Sequence, residues 1–134
     1  MGQWEEVDHT ADVALRVRGD DLADLLTTAL EGMLTLSVVA GEADQGRVRE
    51  LTLEAPDAEA LLVDWLNEHL YLAERDGVVY RVVSFDVCTP TLLRARLVAR
   101  PILERRRSIK AATYHHLEIR PREGGLEAEI VLDV

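Results

Sequence analysis

From Tyr80 to Val134 the chain shows period-2 alternation and turn signals, but no apolar positions at helical spacing. That asymmetry excludes a doubly wound parallel fold, which needs a helix between most of its strands. Helical periodicity is confined to two stretches of the first half. Leu22, Leu25, Leu26, Ala29, Met33 and Leu36 follow 3-and-4 spacing behind a cap at Asp20 or Asp21, and the pattern fades over Val38–Gly41. Ala58 to Arg75 sets Leu61, Leu62, Trp65, Leu66, His69, Leu72 and Ala73 on one broad face. Pro56-Asp57 opens that helix and Asp76-Gly77 closes it. Around these two helices the pattern predicts strands. Val13, Leu15 and Val17 alternate with Ala14, Arg16 and Arg18 up to Gly19, and Gly46 to Ala55 repeats the signature. Tyr80–Val87 and Leu92–Arg100 form a hairpin around Thr89-Pro90-Thr91, followed by a polar excursion over Arg100–Ser108. Ala112–Arg120 and Leu126–Val134 form a last hairpin around Arg122-Glu123-Gly124-Gly125. The expected fold class is α+β: one domain over residues 1–134, an antiparallel or mixed β-sheet packed against two amphipathic helices.

Composition narrows the function classes. Hydrophobic residues make up 48% and charged residues 30%, which suits a packed domain rather than disorder. No apolar run nears the ~20 residues that span a bilayer, so no membrane partner is expected. The first ten residues hold acids and no basic leader, which together with a lone cysteine, Cys88, predicts a reducing, cytoplasmic location. Fifteen Lys+Arg stand against 25 Asp+Glu, a net charge of −10, so autonomous nucleic-acid binding is not expected. The Arg105-Arg106-Arg107 run lacks interleaved aromatics and reads as a solvated loop. All the other basic residues being arginine, Lys110 is the only lysine of the chain. A compact, mobile ammonium is not equivalent to a guanidinium, which makes Lys110 a functional candidate beside the plainer reading of a surface lysine.

Three blocks carry possible chemistry. Ala128, Ile130, Leu132 and Val134 alternate with Glu127, Glu129, Val131 and Asp133, so the sequence stops in mid-strand. An α-carboxylate on Val134 lies one residue from the Asp133 side chain, a repulsive pair unless a cation or donor offsets it; the plainer reading is a solvated strand end. In Asp8-His9-Thr10-Ala11-Asp12 the two acids are four apart just before a strand, and hard oxygen ligands suit Ca²⁺ or Mg²⁺. Asp8 also fits an Asx-turn, and His9 a hydrogen-bonded turn histidine. In Lys110-Ala111-Ala112-Thr113-Tyr114-His115-His116, adjacent histidines on a strand would point to opposite faces, one inward and one to solvent. Cys88, in an apolar strand, reads as a packing residue rather than a nucleophile. No Gly-rich phosphate loop, Gly-x-Ser-x-Gly or His-Glu-x-x-His is present.

Taken together, Asp8-His9-Thr10-Ala11-Asp12, Leu61-Leu62-Val63-Asp64-Trp65-Leu66-Asn67-Glu68-His69-Leu70-Tyr71-Leu72, and Lys110-Ala111-Ala112-Thr113-Tyr114-His115 with the final Asp133-Val134 resemble the archease family in order and spacing over essentially the whole chain. The resemblance implies a cytoplasmic protein that is not itself an enzyme but activates the GTP-dependent tRNA-splicing RNA ligase, promoting ligase guanylylation and multiple turnover. It implies a divalent ion, calcium, held by Asp12, Asp133 and the carboxylate of Val134, with Asp8 and His9 as supporting neighbours. It also places the functionally required lysine at Lys110, and GTP would be met only through the ligase. Two other readings compete: a metal-dependent phosphoester or nucleotide hydrolase, and a chaperone-like modulator of a tRNA methyltransferase, also suggested by the resemblance. The Arg100–Ser108 segment is shorter and richer in arginine than the family's loop, which leaves the partner contacts open.

Overall fold

The computed structural model describes residues 2–7 and 12–134. In chain order the elements are β1 (Gln3–Val7), β2 (Val13–Gly19), α1 (Leu22–Ser37), β3 (Val38–Ala40), β4 (Asp44–Glu54), α2 (Ala58–Asp76), β5 (Val78–Cys88), β6 (Leu92–Arg105), β7 (Ala111–Ala112), β8 (Arg120–Arg122) and β9 (Gly125–Asp133). The α+β expectation holds, and the strands divide into two antiparallel sheets. In the first, the order is β1-β2-β9-β7, with β8 also on β9. In the second, β6 is central and pairs with β3, β4 and β5.

Local chemistry sets the helix ends. Asp21, in extended conformation, accepts from the Asp24 amide at 2.8 Å and caps α1, while Asp57 does the same for α2 through the Ala60 amide at 2.8 Å. Gly77 closes α2 at φ 70°, a left-handed position that glycine occupies without Cβ strain, and its N–H donates to Ala73 O. The apolar stripes then meet one core. α1 packs across β2 and reaches β5, and α2 lies against β4, β5 and β7. Val13, Leu15 and Val17 from β2, Leu25, Leu26, Ala29 and Met33 from α1, Leu61, Leu62, Trp65 and Leu66 from α2, and Leu93, Ala95 and Leu97 from β6 are all buried in it. Trp65 is fully buried and its indole N–H donates to Leu26 O at 2.9 Å, tying the two helices together.

One strand is added to the expected set, and three local expectations are corrected. The acidic N-terminal segment holds a strand, β1, which pairs with β2 from Gln3↔Arg18 to Val7↔Ala14. The Arg100–Ser108 segment is not an excursion at its start: β6 runs on to Arg105 because β3 pairs with it, Val38 facing Arg105 and Ala40 facing Ile102. Leu103, Glu104 and Arg105 are exposed, so this end of the strand carries no buried-face alternation to read. The final hairpin is also interrupted. Thr113 sends both its N–H and its hydroxyl to Val131 O, a turn at Tyr114–Leu117 follows with His116 at φ 51°, and pairing resumes at Arg120↔Glu127. His115 and His116 therefore sit in a turn, both exposed, their rings meeting edge-on at 4.2 Å, rather than one on each face of a strand. β5 pairs only with β6 among the described strands, and its register slips twice, between Val82 and Ser84 and between Phe85 and Val87.

Candidate functional site

β9 is the strand that assembles the site. On one side Val13 of β2 faces Leu132, so Asp12, one residue further out, stands at the register position of Asp133. On the other side Ala111 of β7 faces Asp133, which sets Lys110 level with Val134. The Lys110 N–H donates to Asp133 O at 2.8 Å. One end of the first sheet therefore collects Asp12, Asp133, Val134 and Lys110, residues from three blocks far apart in sequence. Asp12 is half-buried, and the other three are exposed. Asp8 and His9 lie outside the described residues.

β7 is only two residues long, and its outer edge has no strand beside it. Asn67 of α2 takes that place. Its side-chain carbonyl accepts from Ala112 N–H at 2.7 Å, and its amide donates to Ala112 O at 3.2 Å. A single carboxamide thus satisfies both main-chain groups of Ala112, as a neighbouring strand would. Asn67 lies in the helix motif named above, yet nothing in its spacing indicates this role, since its partner is 45 residues away. Beyond β7 the chain turns back across α2: Ile119 N–H donates to Glu59 at 2.9 Å. Partial desolvation, then the carboxylates of Asp64 and Asp57, push the Tyr114 phenol up from its ordinary value.

The donor set has a definite chemistry. Asp12 and Asp133 offer hard carboxylate oxygens, which fit an oxygen-preferring divalent ion and not a thiolate or imidazole site. Among the described residues no three His, Cys, Asp or Glu side chains gather to hold a metal, so these two carboxylates need another oxygen to make a site. The remaining nucleophile and base candidates are placed elsewhere. Cys88 is half-buried at the end of β5, and burial raises its thiol above the ordinary value, which favours the unreactive form. His69 is buried in the core, edge-on to Trp65 at 4.2 Å, and burial, followed by the Arg49 charge, lowers its pKa to about 3. It stays neutral near pH 7.

The chain is similar to known proteins over nearly its whole length. The model of the Archease protein family (MTH1598/TM1083) matches residues 4–134. Protein archease of Methanosarcina barkeri (strain Fusaro / DSM 804) is 32% identical over 140 residues, covering 98% of this chain and 96% of that protein. Protein archease of Pyrococcus abyssi (strain GE5 / Orsay) is 29% identical over 144 residues, covering all of both. The solution structure of Methanobacterium thermoautotrophicum protein 1598 is 30% identical, with a TM-score of 0.71 and 98% of each chain covered. The crystal structure of an archease, possible chaperone, from Thermotoga maritima aligns with a TM-score of 0.69 at 21% identity, over 97% of this chain and 96% of that one, and shares the fold. With its sequence matched from residue 4 to residue 134 and its two-helix, antiparallel architecture shared, the chain belongs to the archease family.

Proposed function

We propose that this protein is an accessory activator of a GTP-dependent tRNA-splicing RNA ligase in the cytoplasm, acting through the sheet end where Asp12, Asp133, Val134 and Lys110 meet. The observation that supports the reading is the register of β9 between β2 and β7, which sets Lys110 on one side of Asp133 and Val134 and Asp12 on the other. Asp12, Asp133 and a terminal carboxylate on Val134 would hold a divalent ion; hard oxygens suit Ca²⁺ or Mg²⁺, and the resemblance to the family favours Ca²⁺. When bound, that ion would offset most of the negative charge of the carboxylates and offer a Lewis-acidic centre at the sheet end. Lys110, held in register by its own N–H on Asp133, offers a mobile ammonium to an anionic group of the partner. The role is that of a helper: no reacting nucleophile is assigned to this chain, and guanylylation belongs to the ligase.

Purified protein should accelerate GTP-dependent RNA joining by its cognate ligase over many turnovers. Asp12→Ala or Lys110→Ala should abolish the stimulation while leaving the thermal unfolding midpoint near that of the parent. Unchanged stimulation by both variants overturns the site assignment. Nucleotide or phosphoester turnover by the protein alone would instead establish the hydrolase reading. Adding one residue after Val134 displaces the α-carboxylate and should weaken Ca²⁺ binding measured by calorimetry.

A further inference from the structure

Fourteen arginines are spread over an acidic chain, and five of them, Arg81, Arg100, Arg105, Arg106 and Arg107, line one trough. Two grooves of about 440 and 420 Å³ share Leu34, Val38, Val79 and Arg106 and so adjoin one another, between α1, the C-terminal part of α2 and the β3–β6–β5 surface. Only two acids, Glu31 and Glu74, join those five arginines in the lining. The trough is therefore a cationic strip on a molecule whose net charge is −10.

Two of the five guanidiniums have work within the chain. Arg100 donates to Gly41 O at 2.7 Å and to Ala40 O at 3.3 Å, and Arg107 pairs with Glu6 at 3.1 Å. Arg81, Arg105 and Arg106 are exposed and have no salt bridge to a carboxylate among the described residues. Their backbone is nonetheless held. Arg106 and Arg107 both donate main-chain N–H groups to Ser37 O, which straps this segment across the C-terminal end of α1. Beside these charges the lining carries apolar surface: Val39 is 38% exposed, and Leu34 lines both grooves. Preordered arginines next to exposed aliphatic groups are the composition of a protein-binding surface.

We propose that this trough is a docking surface for an acidic protein segment with apolar anchors, its carboxylates meeting Arg81, Arg105 and Arg106 and its apolar side chains meeting Leu34 and Val39. Charge complementarity selects the occupant. Nucleic acid is the weaker fit, because the aromatic rings of the lining are committed: Tyr80 is buried, and Trp4 packs on Gly32. Ser108 and Ile109, directly before Lys110 in the chain, are among the lining residues of the second groove. The docking surface does not depend on the ion or on the ligase, and its test fails or succeeds separately from theirs.

Random short peptides displayed on phage are selected on the full chain and counter-selected on the Arg81→Glu/Arg106→Glu variant. Recovered peptides should interleave Asp or Glu with large apolar residues. A synthetic copy should bind the parent protein with a Kd that the double reversal weakens about tenfold or more, and that rising salt also weakens. Arg94→Glu, on an exposed position of β6 outside the trough, should leave that Kd unchanged. Should the double reversal fail to fold by circular dichroism, Arg81→Gln/Arg106→Gln serves in its place. Recovery of no enriched sequence, enrichment of neutral or basic peptides, or a Kd indifferent to the arginines overturns the proposal. So does tighter, arginine-dependent binding of a labelled single-stranded RNA, which would make the trough a phosphate site.

Discussion

His69 holds an imidazole in the core with neither ring nitrogen hydrogen-bonded. Its folded pKa of about 3 lies below the ordinary 6.5, so between those values the unfolded chain binds the extra proton. Stability contributed by the neutral ring is complete above about pH 6.5 and is lost as pH falls toward 3, at up to about 1.4 kcal/mol per unit. Urea unfolding followed from neutral to mildly acidic pH should show this slope, and His69→Leu should flatten it. Asn67 is the other residue whose environment decides its effect. Asn67→Ala strands the N–H and C=O of Ala112 and should cost about 1–3 kcal/mol. Ligase stimulation should fall further than that loss alone explains, since Lys110 directly precedes the freed strand. Much of the site was legible at this scale: Lys110, Asp12 and Asp133 stand out by rarity, spacing and position. Asn67 did not, because a carboxamide's partner across 45 residues leaves no mark in local pattern.

At the scale of elements, long periodic segments read well. Asp57 and Gly77 bracket α2 as a cap and a left-handed stop, and the predicted helix differs from the observed one by a single residue. Short strands did not read, because β1, β3, β7 and β8 exist through their partners rather than through their own alternation. Gly32 in α1 shows how an element can be constrained by its neighbour. A Cβ there would stand 2.9 Å from the Trp4 indole that β1 lays across the helix. Gly32→Ala gains about 1 kcal/mol of helix propensity but collides with the ring, and overpacking of this kind costs about 1–3 kcal/mol. The thermal midpoint should therefore fall, and the Trp4 fluorescence should report a displaced β1.

Across the whole molecule, the first sheet closes between distant parts of the chain, Val13 facing Leu132. Ala128, Ile130 and Leu132 of β9 are fully buried in the shared core. A chain ended at Gly125 should lose its cooperative thermal transition by circular dichroism rather than unfold at a lower midpoint, since β2, β7 and β8 all lose their common partner. The α+β class was legible from the lack of helical spacing after Tyr80. The division into two sheets was not, because strand alternation reveals a buried face but not which other strand shares it. The two register slips in β5 have a consequence for the molecule in a crowded cell. An outer strand of 11 residues would present an uninterrupted row of backbone donors and acceptors to any extended peptide. With Val83 and Asp86 bulged out of the ladder, that row is interrupted twice, which makes β5 a poorer template for β-augmentation than a regular strand of its length.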